Sequence, residues 1–253
     1  MVVAHIGSAD DLMETMLLGD ALRGALPSGA PLSLVLPYFP YSRADRRFMT
    51  GDCFGLGVFA SILRGSAYGR VHTLDCHSAI AKDLMGGVLE DESAAEFIGA
   101  AISHVAVTNE SDKVSVLFPD AGARSRYTGI FHAGSNTHDV GVSVFNCEKH
   151  RDPATGALSG FSVPLDLPDA PILIVDDLCD GGGTFIGISE KLGGRPTSLY
   201  VTHGVFSKGI AGLLRRFHRI YHTNSMHGST GSPPHPMVMN YDCIAYLLSR
   251  TKD

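Results

Sequence analysis

The chain has 253 residues, 44% of them hydrophobic and 18% charged, with a formal net charge of −6. A polypeptide of this length buries roughly three quarters of its unfolded surface without staples, and suits one large or two modest globular domains. The acidic balance and the lack of a long basic run argue against a nucleic-acid partner, no apolar run approaches the ~20 residues of a membrane span, and the start, MVVAHIGSADD, lacks the basic flank and apolar core of a signal peptide.

In chain order, VVAHI reads as a strand and SADDLMETMLLGDALRGAL as a helix with Ser8 at its N-cap. Leu12/Met16, Met13/Leu17 and Leu18/Leu22 repeat at four-residue spacing, which is helical. PLSLVLP reads as a buried strand, CFGLGVFASILRG as a helix weakened by its glycines, and RVHTLD as a strand. SAAEFIGAAISHVAV, KVSVLFPD, VGVSVFN, PILIVDD, FIGISEKLGG, TSLYVTHGVF and YDCIAYLLSR continue the alternation. Short apolar runs separated by helices predict an α/β fold of mainly parallel sheets covered on both faces. GGVLEDES breaks the pattern near residue 90, which divides the chain into 1–90 and 91–253. The five cysteines, Cys53, Cys76, Cys147, Cys179 and Cys243, are scattered and odd in number. They read as reduced thiols of a cytoplasmic protein. The twelve histidines form no metal-ligand cluster of the HExxH kind.

The segment PILIVDDLCDGGGTFIG, 171–187, carries the chemistry. In an open α/β sheet ligands sit beyond the carboxyl ends of the strands. ILIV is expected to be a central strand, with Asp176 and Asp177 leaving its end. Gly181, Gly182 and Gly183 can adopt backbone conformations closed to other residues, so that their N–H groups converge on phosphate oxygens. Thr184 is expected to begin a helix whose positive N-terminus and hydroxyl favour the same anion. Carboxylates repel phosphate, so the aspartates point to a ligand with hydroxyls beside its phosphate. A ribose phosphate fits, with the acids accepting from its 2- and 3-hydroxyls or helping to hold Mg²⁺. The plain alternative is a strand-to-helix turn with capping residues.

IVDDLCDGGGT resembles the phosphoribosyl-diphosphate (PRPP) loop of type I phosphoribosyltransferases and of ribose-phosphate diphosphokinases, the PRPP synthetases. LPYFPYSRADRRF, 36–48, resembles the synthetases' PYxPYxRQDR loop, and TLDCHS, FPDAGARSR, CEKHRD, VTHGVF and YHTNSM resemble further synthetase segments in the same order. The resemblance covers nearly the whole chain. It implies two type I phosphoribosyltransferase-like domains, each a mainly parallel sheet flanked by helices: a shortened N-terminal one over 1–90 and a C-terminal one over 91–253. The implied activity is transfer of the β,γ-diphosphate of MgATP to the C1 hydroxyl of ribose 5-phosphate, with AMP leaving. ATP is the co-substrate and Mg²⁺ the cofactor. The implied ATP site is Phe39, Arg43, Asp45, Arg46 and His77. His77 and Asp120 are the implied metal-side residues, and Lys149 and Arg151, with His77, the catalytic ones. Asp176 and Asp177 would hold the ribose hydroxyls, and Asp180, Gly181, Gly182, Gly183 and Thr184 the 5-phosphate. A homo-oligomer is also implied. Read without the resemblance, His77 is a structural histidine, Asp120 a helix cap, EKHRDPATGALSG a solvated hairpin, and Tyr38, Phe39 and Tyr41 either core or adenine-stacking.

Three departures from the family pattern follow. The chain starts near what looks like the family's second strand, so adenine recognition is expected to differ. Ala44 stands where the family has Gln. D-G-G-G-T stands where D-T-A-G-T or similar is usual, which widens the phosphate loop. That widening raises ADP-ribose as an alternative acceptor, since virus-encoded relatives that make ADP-ribose diphosphate for NAD⁺ rebuilding resemble this compact form. A phosphoribosyltransferase and a non-catalytic regulatory homologue are the remaining alternatives. The PYFPYSRADRR loop argues against the first, and Lys149 and Arg151 against the second.

Overall fold

The computed structural model describes residues 1–131, 140–151, 158–226 and 235–251, with the side chains of residues 149–151, 158 and 159 outside the description. The described residues form two compact units. The first takes in residues 1–93, 224–226 and 242–251, and the second residues 94–223 and 235–241. The first unit thus also holds residues 242–251, which a division at residue 90 assigns to the second.

Unit 1 is a four-stranded, wholly parallel sheet in the order β1 (Val2–Val3), β2 (Ser33–Val35), β3 (Arg70–Leu74), β4 (Leu89–Glu92). Its helices are α1 (Ala9–Ala25), α2 (Gly55–Arg64) and α3 (Ile80–Met85). Ser8 caps α1 as its sequence requires, its hydroxyl accepting from Asp11 N–H at 3.1 Å. Leu12, Met16 and Leu22 of α1 join Leu34, Val71, Leu56, Phe59 and Met85 in one core. Met13, Leu17 and Leu18 face outward instead. Tyr68 lies across α1 and donates to Thr15 O at 2.8 Å, and only a glycine at position 19 admits its ring, since a Cβ there would sit 2.9 Å away. Val35, His72 and Leu74, on the opposite face by the two-residue period, are buried as well. The last helix of the chain, Cys243–Arg250, packs on β2 and β3.

Unit 2 contains α4 (Ala95–Thr108), β5 (Lys113–Phe118), α5 (Ala121–Tyr127), β6 (Gly141–Asn146) and an antiparallel hairpin of β7 (Glu148–Arg151) and β8 (Leu158–Ser162). Then come β9 (Ile172–Cys179), α6 (Gly183–Lys191), β10 (Thr197–Gly204), α7 (Ala211–Leu214), β11 (Ile220–Thr223) and β12 (Val238–Tyr241). The parallel sheet runs β12-β11-β10-β9-β5-β6. One face packs Ile172, Ile174, Leu199, Val201 and Ile220 against Phe185 and Ile188 of α6. On the other, α4 meets the sheet through His104 Nδ1, 2.8 Å from Tyr221 Oη, and through Phe97 against Tyr241. Helices on both faces explain why these strands read as unbroken apolar runs.

Candidate active site

Strand order in unit 2 reverses between β5 and β9: from β5 the chain moves outward to β6, and from β9 it moves the other way to β10, β11 and β12. Such a switch point opens a crevice at the carboxyl ends of the two strands. β5 pairs with β9 only from Ser115↔Ile172 to Leu117↔Ile174. β9 continues beside β10 through Cys179, paired with Gly204. Asp176 and Asp177 therefore lie within the strand rather than beyond its end, on the stretch that β5 has already left. Their predicted place is corrected by this register: pairing with β10 alone keeps the backbone extended.

The two carboxylates are not equivalent. The two-residue period puts Asp176 on the face of Ile172 and Ile174, which α6 covers, and Asp177 on the other face. Asp177 is buried, with Oδ2 4.0 Å from Arg126 of α5. Asp176 is half-buried, and its Oδ1 accepts from Asp177 N–H at 2.9 Å. Burial, then repulsion from Asp177 and more weakly from Asp120, holds the Asp176 carboxyl well above the usual carboxylate range. Asp120 caps α5, Oδ1 accepting from Ala123 N–H at 2.9 Å, while its charge also reaches Asp176. Capping and proximity to the acids thus coexist in one residue.

After β9, Asp180 is exposed and Gly182 takes the left-handed conformation, φ 75°. There a Cβ would also meet Leu213 at 3.0 Å. α6 starts at Gly183, one residue before the expected Thr184, and no side chain caps it. The N–H groups at its start are left to an external acceptor. Burial pushes the Cys179 thiol up to about 12, so it is an inert core group. Lys149 and Arg151 lie on β7, whose Lys149 pairs in register with Phe161; their side chains fall outside the described residues. Phe161 fixes the hairpin to α6, because only 3.4 Å separates its ring from where a Cβ of Gly187 would be.

In unit 1 the loop after β2 and the loop after β3 meet at the carboxyl end of the sheet. Asp45 joins them. Its carboxylate takes Arg46 Nε at 2.9 Å and Arg46 Nη2 at 3.3 Å, and also the Ser78 hydroxyl at 3.0 Å. The hydrogen bond from Arg46 is the main cause of its lowered pKa, and His77 adds a smaller pull. His77 sits half-buried beside Ser78 in a segment held further by Cys76 N–H donating to Asp91 Oδ1 at 2.9 Å. Arg43 is exposed. Phe39 is a correction: it is 1% exposed and packs edge-on to Phe59, centroids 5.3 Å apart. An enclosed ring cannot stack on adenine. Tyr41, 58% exposed and held at φ 59°, presents an accessible ring in this loop instead. Positive φ in a tyrosine is strained, a feature found at ligand sites.

Arg126, which faces Asp177, and Lys208, which lies against Gly181, are the additions that sequence reading missed. A single cation on a short helix or a turn has no periodic signal.

These units define the class: doubly covered, mainly parallel α/β folds of the type I phosphoribosyltransferase kind. No family model matches the sequence. The chain is 31% identical over 209 residues to the ribose-phosphate pyrophosphokinase of Pyrococcus furiosus, covering 78% of this chain and 67% of that one. It is 27% identical over 208 residues to that of Bradyrhizobium diazoefficiens, covering 81% of this chain and 62% of the relative. It thus spans about two thirds of the length of these curated relatives. The fold is like that in the crystal structure of phosphoribosylpyrophosphate synthetase from Mycobacterium smegmatis, with a TM-score of 0.78 at 22% identity over 99% of this chain and 79% of that one. The chain belongs to the ribose-phosphate pyrophosphokinase family of transferases.

Proposed function

We propose that the chain transfers the β,γ-diphosphate of ATP to the C1 hydroxyl of a ribose 5-phosphate moiety. The C1 oxygen attacks the β-phosphorus, the bond from that phosphorus to the α-phosphate bridge breaks, the hydroxyl proton is lost and AMP leaves. The observation that carries this reading is the β9 crevice of unit 2. It holds the half-buried Asp176, with Asp177 buried next to it in the strand, and a glycine turn into α6 that suits a phosphate, within a chain of this family. Asp176 and Asp177 take the 2- and 3-hydroxyls, and the N–H groups from Gly181 to Thr184 take the 5-phosphate, with Asp180 in the same loop. Arg43, Arg46 and His77 bind ATP, with Arg46 held in place by Asp45. Lys149 and Arg151 clamp the transferring phosphates, where positioning and charge neutralisation supply most of the rate.

Magnesium fits this donor set. Among the described residues no cluster of His, Cys, Asp and Glu forms a ready metal cage. Mg²⁺ asks for none, being held through one or two carboxylates and substrate phosphates. The carboxylates around Asp176 are close enough to raise its pKa, which a divalent charge would reverse. In unit 2 Asp120 is the side chain that would hold it, and it would neutralise charge on the phosphates; His77, in unit 1, belongs to the proposed ATP side. Self-association is part of the proposal, supported by the exposed Met13, Leu17 and Leu18 of α1.

ADP-ribose is the second reading, favoured by a specific observation: nothing lies within 4 Å of where a Cβ of Gly183 would be. That opening leaves room for a substituent on the phosphate. Enzyme and MgATP should release AMP in step with acceptor consumed, from ribose 5-phosphate or ADP-ribose supplied separately. The product should gain the mass of a diphosphate. No AMP from either acceptor would overturn the reading. Asp45→Asn should raise KM for ATP about three- to tenfold, the usual range for weakening an exposed charge-assisted contact, with KM for the acceptor unchanged. An equal rise in both would remove Asp45 from the ATP side.

A further inference from the structure

Residues 205–210, between β10 and α7, form a turn fastened to the end of β9. Val205 N–H and Phe206 N–H both donate to Cys179 O, at 2.9 and 3.1 Å, and Gly209 N–H donates to Phe206 O at 2.7 Å. Phe206 is left-handed, φ 49°, and Gly209 has φ 71°. The Phe206 ring stands edge-on to the buried His222, centroids 5.4 Å apart, and any Cβ on Gly204 would overlap that ring. The left-handed backbone of Phe206 and its bonds to Cys179 fix this turn, and Lys208 lies on it. The lysine stem crosses Gly181, with Cδ and Cε each 3.3 Å from where a Cβ would be. Its ammonium is exposed and makes no ion pair among the described residues. The phosphate loop thus has a cation on one flank and, at Gly183, no wall within 4 Å.

A terminal 5-phosphate is already met by the N–H groups at the start of α6. If that phosphate is joined to a second one by an anhydride bond, the second charge lies outside the turn, toward solvent. A point charge on a flexible four-carbon stem suits that position. We propose that Lys208 sets acceptor choice: its ammonium pairs with the second phosphate of a ribose 5-diphosphate ester, of which ADP-ribose is an example, and favours it over ribose 5-phosphate. This rests on the reading of unit 2 as the acceptor site.

Binding of ADP-ribose and of ribose 5-phosphate is to be measured by calorimetry for the wild type, Lys208→Ala and Lys208→Arg at two salt concentrations, alongside kcat/KM for each acceptor. Lys208→Ala should weaken ADP-ribose about five- to tenfold relative to ribose 5-phosphate, the scale of one exposed charge-assisted contact. The loss should fall on KM, and the salt dependence of ADP-ribose binding should flatten. Lys208→Arg should restore most of the difference. Equal losses for both acceptors would assign Lys208 to the shared 5-phosphate and overturn the inference, as would no loss for either. A wild type that binds neither acceptor brings down the acceptor-site reading and the inference with it. A wild type that binds both while Lys208 makes no difference brings down the inference alone.

Discussion

Asp176→Asn is expected to yield a protein that unfolds at higher denaturant concentration and turns over about a hundredfold more slowly. Both effects come from one carboxyl. Burial first, then the charges of Asp177 and Asp120, raise its pKa in the folded chain, so the native state holds that proton more tightly than the unfolded state does. Between the unfolded carboxylate value near 3.9 and the raised native value, the folded form is protonated and the unfolded form is not. Stability then falls as pH rises, by about 1.4 kcal/mol per unit. Above the native value the charge is carried in the fold at full cost. Asparagine has nothing to ionise, so the slope should vanish, and stability at neutral pH should rise by about 0.5–2 kcal/mol, a common gain when an active-site compromise is relieved. Urea unfolding at pH 5 and pH 8 reads this directly, with the larger gain at pH 8. An equal gain at both, or a loss at pH 8, would show that Asp176 does not carry the burial cost assigned to it. In kcat/KM, each hydrogen bond from a sugar hydroxyl to the ionised group is worth about 1.5–3 kcal/mol, hence the hundredfold loss.

How much of this was legible depended on how local the deciding contact is. Ser8 was readable because a cap and its helix are neighbours, and Asp11 N–H lies where the spacing puts it. Ile172 to Val175 were readable because a strand covered on both faces needs an unbroken apolar run. The extension of that strand through Asp176 to Cys179 was not, since it depends on β10 staying paired after β5 has turned away. β4 was taken for a break in the pattern, because Leu89–Glu92 carries Glu90, Asp91 and Glu92. An edge strand tolerates such charges, and here Asp91 is used to hold Cys76 N–H. Phe39 and Tyr41 sit two residues apart in one proline-flanked aromatic loop, where no period separates inside from outside. Phe59 on α2 decides it by covering Phe39. Lys208 was illegible for the same reason, its meaning coming from a turn fastened to Cys179, distant in sequence. The family motifs named most of the residues proposed for the chemistry, while the fold supplied which loop each one is tied to.

The β7–β8 hairpin should separate catalysis from acceptor binding. Lys149→Ala is expected to lower kcat by about 10³-fold or more with either acceptor, the scale of losing a preorganised positive group at a developing phosphoryl charge. Acceptor affinity should not change, because the proposed sugar-phosphate contacts lie on β9 and α6. It is Phe161 that ties this hairpin to the core of unit 2, so the unfolding midpoint of Lys149→Ala should also hold. Phe161→Ala attacks the same function at its anchor. Its ring is the part of β8 that packs toward Gly187 of α6 and joins the core of unit 2. Removing it should cost about 1–2 kcal/mol, less than a fully buried aromatic because Phe161 is only half-buried. With its fastening gone, the strand that bears Lys149 opposite Phe161 should lose its fixed position, and kcat should fall about ten- to a hundredfold. Single-turnover AMP release, paired with calorimetry of ribose 5-phosphate, distinguishes the two terms. Should Phe161→Ala weaken acceptor binding as much as it slows the chemical step, the hairpin would belong to the acceptor site, and Lys149 would need another role.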